Sequence, residues 1–148
     1  MRRVAVLAVA GALLTACTQT VPGEPGAPAE LQWQRPITDS VSSLGGTLGI
    51  VGEAMTANDF VAMSRDCAKL QGTLDGLDKR LPTPNGDVNS SLRDSIDNFR
   101  SFARVCMTMT PGTADASLDQ LSGYLDRGDT SMRKALQQMG IELPTAGR

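Results

Sequence analysis

From Ile37 onward the apolar residues recur at spacings of three and four, in four separate runs. Ile37, Val41, Leu44, Leu48, Val51 and Met55 form the first, and Phe60, Met63, Cys67, Leu70, Leu74, Leu77 and Leu81 the second. Val88, Leu92, Ile96, Phe99, Ala103 and Cys106 form the third. Leu118, Leu121, Leu125, Gly128, Met132, Ala135 and Met139 form the fourth. This period puts each set on one face of an α-helix. The breaks between runs agree. Thr56 to Asp59 supplies a cap between the first two, and Pro82-Thr83-Pro84-Asn85-Gly86-Asp87 interrupts the chain with Asp87 as the expected cap. Pro111-Gly112-Thr113 ends the third helix and caps the fourth, which Gly140 and Pro144 close. Four such stripes joined by short turns predict an all-α protein, an antiparallel four-helix bundle over residues 36–143 with a short tail at 144–148.

The first helix is the odd one. Gly45, Gly46, Gly49 and Gly52 fall inside its stripe, and each costs up to about 1 kcal/mol relative to Ala in a helix. The expectation is that glycine here lets another helix approach closely. The alternative is a loosely held helix that moves or offers a groove to a partner.

Upstream, residues 18 to about 35 show no hydrophobic period, and Pro22, Pro25 and Pro28 interleave with Gly23 and Gly26. Such a stretch predicts a flexible tether with a reach of at most roughly 55 Å in polyproline form. Before it, Met1-Arg2-Arg3 is a basic start to an uncharged run from Val4 to Leu14. That run is too short to span a bilayer as a helix and suits the core of a signal peptide, residues 1–16, removed on export.

Leu14-Thr15-Ala16-Cys17 follows at once, and the tetrapeptide resembles the lipobox of bacterial lipoproteins. The resemblance implies that Cys17 becomes the first residue and carries diacylglycerol through a thioether, with palmitate-type acyl chains. The mature protein would then sit on the extracytoplasmic face of the cell membrane. A cleaved secretory signal with a coincidental cysteine, or a twin-arginine export signal, is the alternative. Each buried methylene contributes about 0.8 kcal/mol, so two acyl chains hold far better than one. Taken whole, the chain looks like small actinobacterial lipoproteins, with the body's likeness carried by Cys67, Leu81-Pro82-x-Pro84 and Cys106. Many of those have no assigned activity, so the resemblance implies a location and no mechanism.

Composition removes most chemistries. There is no histidine, so the commonest general base and transition-metal ligand is missing. Fourteen basic side chains face sixteen acidic ones, which leaves no basic footprint for nucleic acid. Loss of residues 1–16 would take Arg2 and Arg3 and leave 12 against 16, a balance that argues against electrostatic docking on anionic lipid. No phosphate loop, calcium loop or activated serine motif is present. Neither a catalytic residue, a metal site nor a cofactor is expected.

With Cys17 assigned to lipid, Cys67 and Cys106 remain, both on core stripes of neighbouring helices. In an exported protein a disulfide is the default reading, with two free buried thiols as the alternative. Arg93, Arg100 and Arg104 line an outer strip of the third helix, interrupted by Asp97. They offer a surface to an acidic or phosphate-bearing partner, or, more simply, make ion pairs of Arg93 and Arg100 with Asp97. Asp94 with Asp97, Asp115 with Asp119, and Asp126 with Asp129 are the paired carboxylates, expected to face solvent. Arg127-Gly128-Asp129 spells a cell-adhesion tripeptide, but a continuous helix would hide its geometry.

The reading that follows is a non-catalytic interaction module, anchored through Cys17 to the bilayer and binding an envelope protein or a small apolar ligand. One specific form is an exclusion-type lipoprotein, encoded by phage or host, that blocks an envelope apparatus. An envelope hydrolase using surface carboxylates is the runner-up. A cleft with converging Asp side chains would favour the hydrolase, and a bare apolar groove would favour binding.

Overall fold

A computed structural model describes residues 29–141. Cys17, the signal peptide, most of the tether and Pro144 lie outside the described residues. The chain forms α1 (Ala29–Thr56), α2 (Phe60–Asp78), α3 (Gly86–Thr108) and α4 (Ala114–Gln138). Consecutive helices pack side by side and run in opposite directions. Between α2 and α3, Ser64 bonds to the Met107 carbonyl at one end, Cys67 is joined to Cys106, and Asp75 meets Arg100 further along. Ser95 against Gly128 and Asn98 against Arg127 show the same opposition between α3 and α4. The all-helical bundle and its single inter-helix disulfide are as the periodicity predicts.

The first boundary is different. α1 begins at Ala29, so residues 29–35 belong to the helix and not to the tether. Ala29, Glu30, Leu31, Gln32, Gln34 and Arg35 are good helix formers. Pro36 removes one backbone donor inside the helix, and part of that cost is offset because Trp33 packs against the core.

The cap of α3 also moves. Asn85, not Asp87, is the N-cap, its side-chain oxygen accepting from the backbone N–H groups of Asp87 (3.0 Å) and Val88 (3.1 Å). Asp87 sits in the first turn, where its charge complements the helix dipole. The Asn89 amide bridges both backbone groups of Thr83, accepting from N–H at 2.6 Å and donating to the carbonyl at 2.9 Å. The connection before α3 is thereby tied to the helix it precedes. Asn85→Ala is expected to lower unfolding free energy by about 1 kcal/mol; an unchanged urea midpoint would remove Asn85 from the account. At α4, Thr113 holds the N-cap position without a side-chain cap bond. Its hydroxyl is used within the turn instead, accepting from the Thr110 N–H at 3.1 Å. Asp59 caps α2 by accepting from Ala62 N–H.

The core holds Ile37, Leu44 and Val51 of α1, Met63 to Leu77 along α2, and the whole α3 stripe. Because α3 touches both α2 and α4, its buried face is wider than one stripe. Ser91, Ser95 and Phe102 join it. Ser95 donates to the Gly128 carbonyl at 2.8 Å, which satisfies an otherwise costly buried hydroxyl.

Two predicted core residues are not in the core. Leu118 is 45% exposed and Leu125 38% exposed. The reason is that no Cα of α1 comes within 8 Å of one in α4. The fourth side of the bundle is an open seam. At one end it is spanned by the Gln34 amide donating to the Met139 carbonyl (3.3 Å); towards the other it widens.

Candidate interaction groove

The wide part of the seam is a groove of about 460 Å³. Leu48, Gly49, Gly52 and Met55 of α1 form one wall. Leu118, Ser122 and Leu125 of α4 form the other, and Val51, Phe102 and Leu121 lie beneath. No charged side chain lines it. Volume and lining suit an apolar occupant: binding sites commonly fall in the range of several hundred Å³ and are mostly apolar with a few polar groups.

The glycines explain why the groove exists. A Cβ added at Gly45, Gly46, Gly49 or Gly52 would meet nothing within 4 Å. The expectation that they admit a close helix neighbour is therefore corrected. Gly49 and Gly52 leave the part of the α1 wall between Leu48 and Met55 without side chains to reach towards Leu118 and Leu125. The close approach is elsewhere, at Gly128, where a Cβ would lie 2.8 Å from the Phe99 ring.

Of the arginine strip, Arg93 and Arg104 are exposed and Arg100 is engaged by the neighbouring helix. The Arg100 guanidinium donates to Asp75 at 2.7 Å and to Asp78 at 3.0 Å, both on α2. Arg104 donates to the Ser101 hydroxyl. The expected pairs of Arg93 and Arg100 with Asp97 are not among the ion pairs of the described residues; a single Arg100 nitrogen, Nη2, serves two carboxylates on the facing helix instead. Arg93 stays exposed.

Asp94, Asp97 and Asp126 border a shallow recess of about 400 Å³ between α3 and α4, together with Asn98, Arg127 and Thr130. All three carboxylates are exposed. Asp115 and Asp119 are exposed too and lie away from that recess. Among the described residues no group of three or more His, Cys, Asp or Glu is placed to hold a metal ion. The Arg127-Gly128-Asp129 tripeptide lies inside α4 with Gly128 buried. Arg127 donates to Asn98 at 3.1 Å and its guanidinium lies 5.0 Å from the Tyr124 ring centre.

Asp66 was not singled out by the periodicity, yet it is 2% exposed on α2 beside the disulfide. Arg65 donates to both its oxygens at 3.0 Å and Lys69 to one at 3.0 Å. The Arg65 hydrogen bonds, then that of Lys69, hold its carboxyl well below the usual range, at about 2. Arg65 and Lys69 flank it at −1 and +3, the signal that sequence carried. A depressed carboxyl pKa favours the folded state above the unfolded value of about 4, and that contribution disappears as pH falls through about 2. Denaturation between pH 5 and pH 2 should therefore show a steeper loss for wild type than for Asp66→Asn. Parallel curves would count against the pairing.

No helix of the described residues is long and apolar enough to cross a membrane. No protein-family model, curated protein or solved structure matches the chain.

Proposed function

We propose that the protein is a lipid-anchored lipoprotein of the cell envelope that acts as a non-catalytic binding module on the outer face of the membrane. Two independent features support this. Cys17 in Leu14-Thr15-Ala16-Cys17 supplies the attachment for diacylglycerol, after a run of the length and polarity of a signal-peptide core. The observation that carries the binding role is the uncharged groove between α1 and α4, with two leucines left exposed on its wall. Large exposed apolar residues clustered in one concavity mark an interaction site more often than a defect of packing. A tether between anchor and body raises the local concentration of the groove at the membrane surface. An exclusion-type lipoprotein, one that occupies an envelope apparatus, is a specific form of the same reading.

The carboxylate recess is the weaker alternative. It is open to solvent, and its Asp94, Asp97 and Asp126 are accompanied by no nucleophile–base pair.

Two experiments test the reading. Cells fed an alkyne-tagged palmitate should label the wild-type chain and not Cys17→Ala; an unlabelled wild type refutes the anchor. A photoreactive residue at Leu125 should crosslink to a discrete partner in intact cells, while one at Lys134, exposed on the same helix, should not. Equal crosslinking at both positions refutes the groove as the binding surface.

A further inference from the structure

The charges around the groove narrow what it accepts. From Pro36 to Ser64, the chain that carries the α1 wall, there is no Lys or Arg, and the charges are Asp39, Glu53 and Asp59. From Val105 to Asp126, which carries the α4 wall, there is again no Lys or Arg, and the charges are Asp115, Asp119 and Asp126. All six are exposed. Asp126 borders the recess between α3 and α4, and Asp39 lies beyond the lining. Glu53, Asp115 and Asp119, by contrast, each stand within three residues of a lining side chain. The lining is uncharged, so the charges nearest to it on both walls are of one sign. An anionic ligand, a fatty acid carboxylate included, would meet like charge on both sides.

The shape adds a second condition. The groove runs along two helices for the length of Leu118 to Leu125, about 10 Å at the helical rise. The walls are too far apart for backbone contact, and helices pack at about 8–10 Å between axes. Gly49 and Gly52 line the α1 wall with open space above each, so a third helix can lie close to that wall. An incoming helix would present apolar residues at i, i+3, i+4 and i+7 to Leu118, Leu125 and Met55.

We infer that the groove between α1 and α4 receives a basic amphipathic helix, its apolar face against the leucines and its Lys or Arg residues facing Glu53, Asp115 and Asp119. The inference rests on the binding-module reading and deepens it by naming the partner's chemistry. The helix completes the open side of the bundle, and the acidic flanks select cationic over anionic versions of the same apolar face.

The test uses the full chain with Cys17→Ser, which keeps the peptide away from any bilayer. The probe is a fluorescein-labelled peptide of about eighteen residues, leucine at i, i+3, i+4 and i+7 and lysine elsewhere. Its counterpart has glutamate in place of lysine. Anisotropy should show saturable binding of the lysine peptide and at least about tenfold weaker binding of the glutamate peptide. Leu118→Asn with Leu125→Asn should weaken it about tenfold, and Gly49→Leu should block it by filling the wall. These positions are exposed, so circular dichroism should stay unchanged. Glu53→Gln with Asp119→Asn should flatten the dependence on salt and leave the apolar contact intact.

Equal affinity for the two peptides, or full affinity in the folded groove variants, overturns the inference. So does binding of a neutral alkyl probe with none of the peptide, which would assign the groove to a lipid. Each of these results leaves the Leu125 crosslink and the palmitate label to be read separately, so the module and the anchor stand or fall on their own.

Discussion

Unfolding in excess reductant should require about 4 kcal/mol less free energy than unfolding of the oxidised protein. Cys67 and Cys106 close a loop with a sequence separation of 39, and the chain-entropy treatment gives about that value for such a loop. For a domain of this size the corresponding fall in melting temperature is on the order of 15 °C. Both cysteines are 0% exposed, so a reductant reaches the bond only when α2 and α3 separate. Reduction of the native protein should accordingly be slow and should accelerate with denaturant. The Cys67→Ala, Cys106→Ala variant should unfold at a similarly low midpoint, lowered further by the lost packing. A thiol-verified reduced sample with the oxidised midpoint would show that the packed core, and not the crosslink, sets stability. Typical domain stabilities are only about 5–15 kcal/mol. The bond is thus a large share of what keeps a glycine-interrupted bundle folded.

Gly128→Val should cost about 3 kcal/mol, whereas Gly45→Ala should stabilise by up to about 1 kcal/mol. The two glycines look alike in sequence but not in space. At Gly128 the Phe99 ring, itself 2% exposed, lies where a Cβ would go. The ring is buried, so a side chain at 128 forces either α4 to shift away from α3 or the ring to leave its position. Moving α4 also stretches the 2.8 Å bond from Ser95 to the Gly128 carbonyl. At Gly45 there is nothing to displace, and the gain is the ordinary one of replacing glycine by alanine in a helix. Urea denaturation of the two variants beside wild type checks both signs. A neutral Gly128→Val would mean that the α3–α4 contact yields easily.

The groove depends on the same contrast. It persists because α1 carries Gly49 and Gly52 where α4 presents Leu118 and Leu125, so the α1 wall has only Leu48 and Met55 with which to cover the other. Each stripe, read by itself, is a sound amphipathic pattern. Only their pairing shows that the fourth side of the bundle lacks the volume to close.

Local interactions were legible in the order of residues, because helix periodicity, turn breakers and cysteine positions are each encoded within a few neighbours. The four helices, a break near each of 56–59, 82–87 and 111–113, and the joining of Cys67 to Cys106 follow from them, although α2 ends at Asp78, before Leu81 of its predicted stripe. The start of α1 at Ala29 was hidden because residues 29–35 follow the Pro/Gly-rich stretch and carry no hydrophobic period; the packing of Trp33 against the core belongs to the tertiary structure. Two outcomes belonged to tertiary structure alone: the open seam and the engagement of Arg100 by Asp75 and Asp78. Periodicity tells which face of a helix is apolar, but not how much volume stands opposite it or which charges face across the gap. Those quantities exist only once two segments distant in sequence are brought together.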